Sequence, residues 1–250
     1  MPYGLYLSAE GAQAQSQRME VISHNLANVD TPGFKRDLAL FQARYAEAIE
    51  QGLDFPGSGS INDTGGGIVL RATATDFSGG PLKRTSIPTD MALPGEGFFL
   101  VRKDEEELLT RAGNFRLTND GSLVTQQGDP VLDEAGTPIA IDPELGPWRL
   151  AQDGVIEQAG TLVPLAIVRP ESLGQLTKVG ENFFRATGDV SPLAPSERRV
   201  AGGFVEGSGV SPTLEMMQLI EASRAFEANV ALIRHQDQML AGITGRVLRA

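Results

Sequence analysis

Residues 211–241 read SPTLEMMQLIEASRAFEANVALIRHQDQMLA, and between Thr213 and Ala241 they contain neither Gly nor Pro. Ser211 is a good N-cap, and Pro212 suits the first helical position, where its missing N–H costs nothing. Leu219, Phe226, Ile233, Leu240 and, beyond the stretch, Val247 are spaced by seven. Met216, Ala222, Val230 and Ile243 fill the stripe between them. A heptad stripe is the seam of a coiled coil or bundle. Glu221 with Arg224 and Arg234 with Asp237 are i,i+3 pairs on its flanks. About 30 residues of helix span roughly 45 Å, long for a helix inside a compact globule.

The other end of the chain repeats the pattern. Leu5, Ala12, Met19 and Leu26 are also spaced by seven, Ile22 and Val29 extend the stripe, and Ala9 and Ser16 are small neighbours. This helix runs into Ser-His-Asn-Leu-Ala-Asn-Val-Asp-Thr-Pro-Gly-Phe-Lys-Arg, residues 23–36. Asn25 and Asn28 have amides that can satisfy last-turn carbonyls or reach a neighbouring chain. Thr31-Pro32-Gly33-Phe34 fits a type II turn, with Gly where positive φ is needed, and Phe34 can anchor the returning chain. Asp37–Gln51 then reads as a second amphipathic helix with Leu38, Phe41, Tyr45 and Ile49 on one face. Residues 52–67, with six Gly, read as a flexible connector.

The middle reads as β. Gly97–Lys103 and Glu107–Thr110 suit paired strands. Phe115–Gly121 is echoed by Trp148–Gly154, and each copy carries Asp-Gly before an alternating stretch. Asp-Gly between such stretches signals a hairpin with a type I′ turn. The reading is therefore α+β. Long N- and C-terminal helices pair as a coiled-coil-like unit, and a mostly antiparallel β domain is inserted between them. The segments are 1–36 (N-terminal helix and joint), 37–84 (connector with a second helical stretch and Gly-rich linker), 85–205 (β-rich outer domain) and 206–250 (C-terminal helix).

The 250 residues carry a net charge of −11 and no Cys. An acidic chain lacks the basic face that nucleic acid or an anionic membrane selects. Residues 1–50 hold 4 basic and 6 acidic groups, and residues 206–250 hold 4 and 5, so the middle carries −8 of the −11. Near-neutral amphipathic ends can pack on copies of themselves while an acidic body stays soluble. The N-terminus has no basic n-region or apolar h-region, and no segment is apolar enough to span a bilayer. The expectation is a chain that is cytoplasmic or exported without a cleaved signal.

Chemistry is scarce. His24 and His235 are the two histidines, and there is no GxSxG elbow. Gly65-Gly66-Gly67 lacks the Lys and hydroxyl of a phosphate loop. The run Asp104–Glu107 reads as a solvated hairpin tip, and Asp120, Asp129 and Asp133 as turn residues rather than calcium ligands. Asn62-Asp63-Thr64 is a formal glycosylation sequon of no weight. No catalytic residue, metal ligand, cofactor or small-molecule substrate is expected. Helical seams at both ends point to a subunit of a polymer or bundle.

Asn25-Leu26-Ala27-Asn28 with Thr31, Pro32, Gly33 and Phe34 resembles the N-terminal signature of the rod and hook proteins of the bacterial flagellum. Gly95–Phe99 resembles the family's Gly-x-Gly-Phe-Phe strand, Thr110–Phe115 its TRAGNF element, and Gly180–Phe184 its GxNxF/Y element. Gly207–Val210 with Glu215–Met217, Ile220 and Arg224–Glu227 is similar to the start of its C-terminal helix. His24 and Gly209 stand where the family commonly has Asn. The resemblance implies a structural subunit of the basal-body rod, exported by the flagellar type III apparatus without a cleaved signal. It implies helical assembly with itself and other rod proteins into a torque-transmitting shaft. The terminal helices would form an inner tube and the motif at 25–34 an assembly joint. Compact length and the form EGSGVSP favour the proximal-rod class, with the distal-rod and hook classes as alternatives. An unrelated extracellular fibre or adhesin subunit, or a β-rich hydrolase, are the readings that do not rest on the resemblance.

Overall fold

A computed structural model describes residues 3–60 and 65–247. In chain order the elements are α1 (Tyr3–Ala27), β1 (Arg36–Ala43), α2 (Glu47–Glu50), β2 (Ile68–Asp76), β3 (Leu82–Arg84), β4 (Met91–Ala92), β5 (Phe98–Lys103), β6 (Glu106–Thr110), β7 (Arg116–Leu117) and β8 (Leu123–Val124). They continue with β9 (Arg149–Leu150), β10 (Val155–Gln158), β11 (Thr161–Pro164), β12 (Ile167–Pro170), β13 (Leu176–Gly180), β14 (Phe183–Ala186), β15 (Val190–Pro192), β16 (Ala201–Gly202), β17 (Phe204–Glu206) and α3 (Pro212–Val247). The fold is α+β, two long helices flanking a mostly antiparallel β region. It divides into two units. One holds the chain up to Ala27, Asp37–Asp76 and the chain from Ser211; the other holds Asn28–Arg36 and Phe77–Val210.

In the helical unit α1 and α3 run antiparallel. Gly4 lies beside Gln236, Gly11 beside Asn229, and Arg18 pairs with Glu221 at 3.8 Å. A Cβ at Gly11 would come within 2.9 Å of Asn229 Oδ1, so glycine lets the helices approach. Gly4 and Gly11 of α1 thus face the amides of Gln236 and Asn229, and Ser8 and Ala12 beside them are buried. On α3 the covered face is Gln218/Leu219, Ala222, Phe226, Asn229, Ile233 and Gln236. Beyond Gln236 every described side chain to Gly245 is exposed.

Asp37–Gln51 is not a helix. β1 occupies its first half and pairs with β2, leaving one helical turn, Glu47–Glu50. Leu38, Leu40 and Phe41 satisfy either period, and pairing with a distant strand decides for β. Residues 52–60 form turns and bends. Asn62-Asp63-Thr64 lies outside the described residues.

The β unit is built on a six-stranded antiparallel sheet in the order β13-β14-β6-β5-β12-β15. Its double aromatics are explained by the strand period of two. Phe99, Leu108, Ile167 and Phe183 enter the main core, with Met91, Leu123 and Leu165 among its other members. Their neighbours Phe98, Leu109, Val168 and Phe184 form a second cluster. Phe77 closes that cluster, its ring centroid 5.3 Å from Phe184 and 6.0 Å from Phe98.

The echoed Asp-Gly hairpins form, with a different turn. In Thr118–Ser122 and Ala151–Val155 the Gly N–H donates to the first carbonyl, 3.0 Å at Gly121 and 3.1 Å at Gly154. Only the Gly has positive φ, 81° and 83°; Asp120 and Asp153 do not. This is the three-residue loop of a turn followed by a left-handed Gly bulge, not type I′. Thr125–Asp129 and Asp133–Thr137 repeat it, with Gly128 at 106° and Gly136 at 76°. In three of the four the first side chain reinforces the loop: Thr118 Oγ1, Thr125 Oγ1 and Asp133 Oδ1 accept from the fifth N–H at 3.0, 3.1 and 2.7 Å.

Asp133 carries a pH prediction. Burial alone would raise its carboxyl, but the Thr137 N–H and hydroxyl and the Ala135 N–H outweigh that and hold it below its ordinary value. Its contribution is therefore complete above the unfolded value of 3.8 and is lost as pH falls through the lowered native value. Urea midpoints should show a shallower acid decline for Asp133→Asn than for the native chain, and equal slopes would refute this.

Candidate functional site

The motif at 25–34 splits between the units. Asn25, Leu26 and Ala27 end α1, whereas Asn28, Thr31, Pro32, Gly33 and Phe34 belong to the β unit. Asn25, 1 % exposed, does not cap its helix. Its Nδ2 donates to the Asp37 carbonyl at 2.8 Å and its Oδ1 accepts from the Asp37 N–H at 2.9 Å. The amide thus pairs with the start of β1 as a backbone rung would. Asn28 makes a turn: its carbonyl accepts from Thr31 N–H at 3.2 Å and its Oδ1 from the Thr31 hydroxyl at 3.2 Å. Phe34 N–H then donates to the Thr31 carbonyl, and Gly33 has φ 69°, as a type II turn requires. Phe34 is buried, with Lys178 Nζ 4.4 Å from its ring centre.

The next residue is the one sequence reasoning passed over. Lys35 is 1 % exposed, and its Nζ donates to Glu206 Oε1 at 2.6 Å and to the Ser78 carbonyl at 2.8 Å. Glu206, 2 % exposed, also accepts from Gly80 N–H at 2.9 Å. Arg111 Nη1 reaches Glu206 Oε2 at 3.4 Å and the Leu93 carbonyl at 3.1 Å, with its guanidinium 5.0 Å from the Phe98 ring centre. Burial pulls the Arg111 guanidinium below its ordinary value, and Glu206 opposes that shift.

Backbone bonds run through the same point. Gly33 N–H donates to the Glu206 carbonyl at 2.8 Å, and Gly209 N–H to the Phe34 carbonyl at 2.9 Å. A Cβ on Gly33 would collide with the backbone of Arg111 and Ala112. Three stretches far apart in sequence therefore close on one buried cluster: GFK at 33–35, RAG at 111–113 and EGSG at 206–209. No periodicity marks these charges. Lys35 is followed directly by Arg36 and Asp37, so not even isolation among apolar residues picks it out.

Of the seam positions, Ala12 is buried and Leu5, Met19, Leu26, Leu219, Phe226 and Ile233 are half-buried. Leu240 is exposed, because α3 has by then run past α1. The side chain of Val247 lies outside the described residues. His24 sits near the last turn of α1, 3.4 Å from Asp37, and His235 adjoins the residue that faces Gly4. Some 20 helical residues separate the two, about 30 Å, so they share no site.

Three family models match the chain. "Flagella basal body rod protein" covers residues 5–35, "Flagellar hook protein FlgE/F/G D1 domain" covers 92–161, and "Flagellar basal body rod FlgEFG protein C-terminal" covers 201–245. The flagellar basal-body rod protein FlgF of Caulobacter vibrioides is 34 % identical over 232 residues, 91 % of each chain. The chain belongs to the flagellar basal-body rod protein family. FlgF of Mesorhizobium japonicum is 32 % identical over 243 residues, 94 % of this chain and 93 % of the relative. FlgG of Buchnera aphidicola from Schizaphis graminum is 32 % identical over 262 residues, 94 % and 96 % of the two chains. As a rod-family member the chain is a structural protein and not an enzyme. Each matched segment supplies one ion of the buried cluster, Lys35, Arg111 and Glu206 in turn. Among the described residues no helix is long and apolar enough to cross a membrane.

Proposed function

We propose that this chain is a subunit of the flagellar basal-body rod that polymerises helically through its terminal helices and transmits torque. The observation that carries this is the outer side of α3. One face packs on α1, while Met216, Met217, Ile220, Met239 and Ile243 remain exposed. Thr213, Met216, Met217 and Ile220 line a shallow apolar groove of about 600 Å³. Two apolar faces on one helix are one more than a single partner covers. Neighbouring copies and other rod proteins would take the second, through surfaces that differ and so propagate.

The class is proximal rod, FlgF-like, on the relatives at 34 % and 32 % identity; the distal-rod reading rests on the FlgG relative at 32 %. Export would run through the flagellar type III apparatus without a cleaved signal, to a periplasm-spanning rod. Residues 25–34 would act as the assembly joint: Asn25 fixes the end of α1 to β1, and Gly33-Phe34 fixes the following turn in the β unit.

Met217→Asp with Ile220→Asp tests the reading. Both side chains are exposed, so each change should alter folding stability by no more than about 0.5 kcal/mol. The monomer should keep its circular dichroism, while a deletion strain expressing it should form no complete rods and should not swim. Normal rods from the double variant would sink the helical-polymer reading. Intact swimming in the deletion strain itself would favour an unrelated fibre.

A further inference from the structure

All three methionines of α3 face outward: Met216, Met217 and Met239 are 52 %, 60 % and 61 % exposed. The other described methionines are covered. Met91 is 0 % exposed in the core of the β unit, and Met19 is half-buried on α1. Met216, Met217 and Ile220 sit together in the groove of about 600 Å³ on α3, which Thr213, Glu221 and Arg224 also line. Met239 lies 22 residues beyond Met217. That places it about 40° round the helix axis from Met217 and roughly 33 Å along it, so the two share one side of α3. No methionine of α3 lies on the face that packs on α1, where Ala222 is fully buried.

A thioether is soft and adaptable, which suits an apolar surface that must fit more than one neighbour. It is also the group on that surface that a peroxide attacks. The sulfur lone pair takes one peroxide oxygen: the S–O bond forms as the O–O bond breaks, the sulfur gives up two electrons, and the rest of the peroxide leaves as water. Ile220 and Ile243, exposed on the same helix, have no atom that reacts in this way. The sulfoxide is polar, and buried against an apolar neighbour its oxygen would lack a donor. A dithiol-dependent reductase reverses the step, the oxygen leaving as water while the dithiol closes to a disulfide.

We infer that Met216, Met217 and Met239 are sites of reversible oxidation by peroxide, and that their sulfoxides block docking of the chain into the rod. The inference rests on the reading that the outer side of α3 meets neighbouring subunits, and adds that this side is open to oxidation only before it docks. Met91, in the core, is a control within the same chain.

The chain has no Cys to consume the oxidant. Hydrogen peroxide is added to the purified full-length chain and, separately, to isolated basal bodies, and peptide mass spectrometry reads the oxygen gained at each Met. In the free chain the three α3 sites should oxidise several-fold faster than Met91, and in basal bodies several-fold more slowly than in the free chain. A deletion strain is then given either the native chain or the triple variant Met216→Leu, Met217→Leu, Met239→Leu, whose exchanges conserve volume and remove the sulfur. After a peroxide pulse, newly formed rods should fall several-fold with the native chain relative to the triple variant. Met91 oxidising as fast as the α3 sites overturns the inference and leaves the rod reading standing. So does an equal yield of rods from the native chain and the variant after the pulse. Equal oxidation of the α3 sites in basal bodies and in the free chain, or absence of the protein from basal bodies, overturns both.

Discussion

Glu206→Ala should cost the protein about 3–5 kcal/mol of folding stability, the penalty for leaving buried charge without its counter-ion. Lys35 Nζ would keep only the Ser78 carbonyl among the partners described above, and the Gly80 N–H would lose its acceptor. Arg111 would lose the carboxylate it pairs with at 3.4 Å. Urea unfolding at neutral pH measures the loss directly, as a fall in midpoint with little change in slope. Lys35→Met combined with Glu206→Leu should be less damaging than Glu206→Ala alone. Apolar residues of similar size replace a buried pair at far smaller cost than a broken pair incurs. A single-variant loss under about 1 kcal/mol, typical of a solvated surface pair, would mean that water reaches these ions.

Gly33→Ala should rank next, at about 3 kcal/mol or more. A left-handed non-Gly residue costs on the order of 1–3 kcal/mol, and forcing a methyl into packed backbone costs a similar amount again. Gly52→Ala separates the two contributions. Gly52 has φ 72°, close to the 69° of Gly33, but a Cβ there would meet nothing within 4 Å. It should cost only about 1–2 kcal/mol, the conformational part. If the two variants prove equally stable, the approach of Gly33 to the Arg111–Ala112 backbone is looser than described. The Gly33 variant should also lose its motility, because the turn could no longer hold Phe34 in the β unit.

Much of the fold could be read from local pattern. The heptad stripe and the absence of Gly and Pro mark α3, short apolar runs on either side of a charged tip mark β5 and β6, and Thr31-Pro32-Gly33-Phe34 forms the turn its residues favour. Each of these depends on forces that act within a few residues. Where reading failed, a distant partner decided. Leu38, Leu40 and Phe41 suit helix or strand equally well, and β2 together with the Asn25 amide makes them strand. Asp-Gly promised a type I′ turn, but the loops at 118–122 and 151–155 use one residue more, so only the Gly must be left-handed. The heptad stripe marks α1 and α3 as helices that pack together, and Gly4 beside Gln236 and Gly11 beside Asn229 let the two backbones come near, a detail that no heptad records.

The site was the least legible part. Lys35, Arg111 and Glu206 are ordinary surface residue types, and nothing near them in sequence announces burial. Local sequence determined where α3 and the tight turns begin, since caps, period and backbone freedom are properties of neighbouring residues. Tertiary structure alone decided that residues 35, 111 and 206 share one desolvated point. The energy of a buried charge depends on which opposite charge lies within a few ångströms, and no spacing along the chain records that distance.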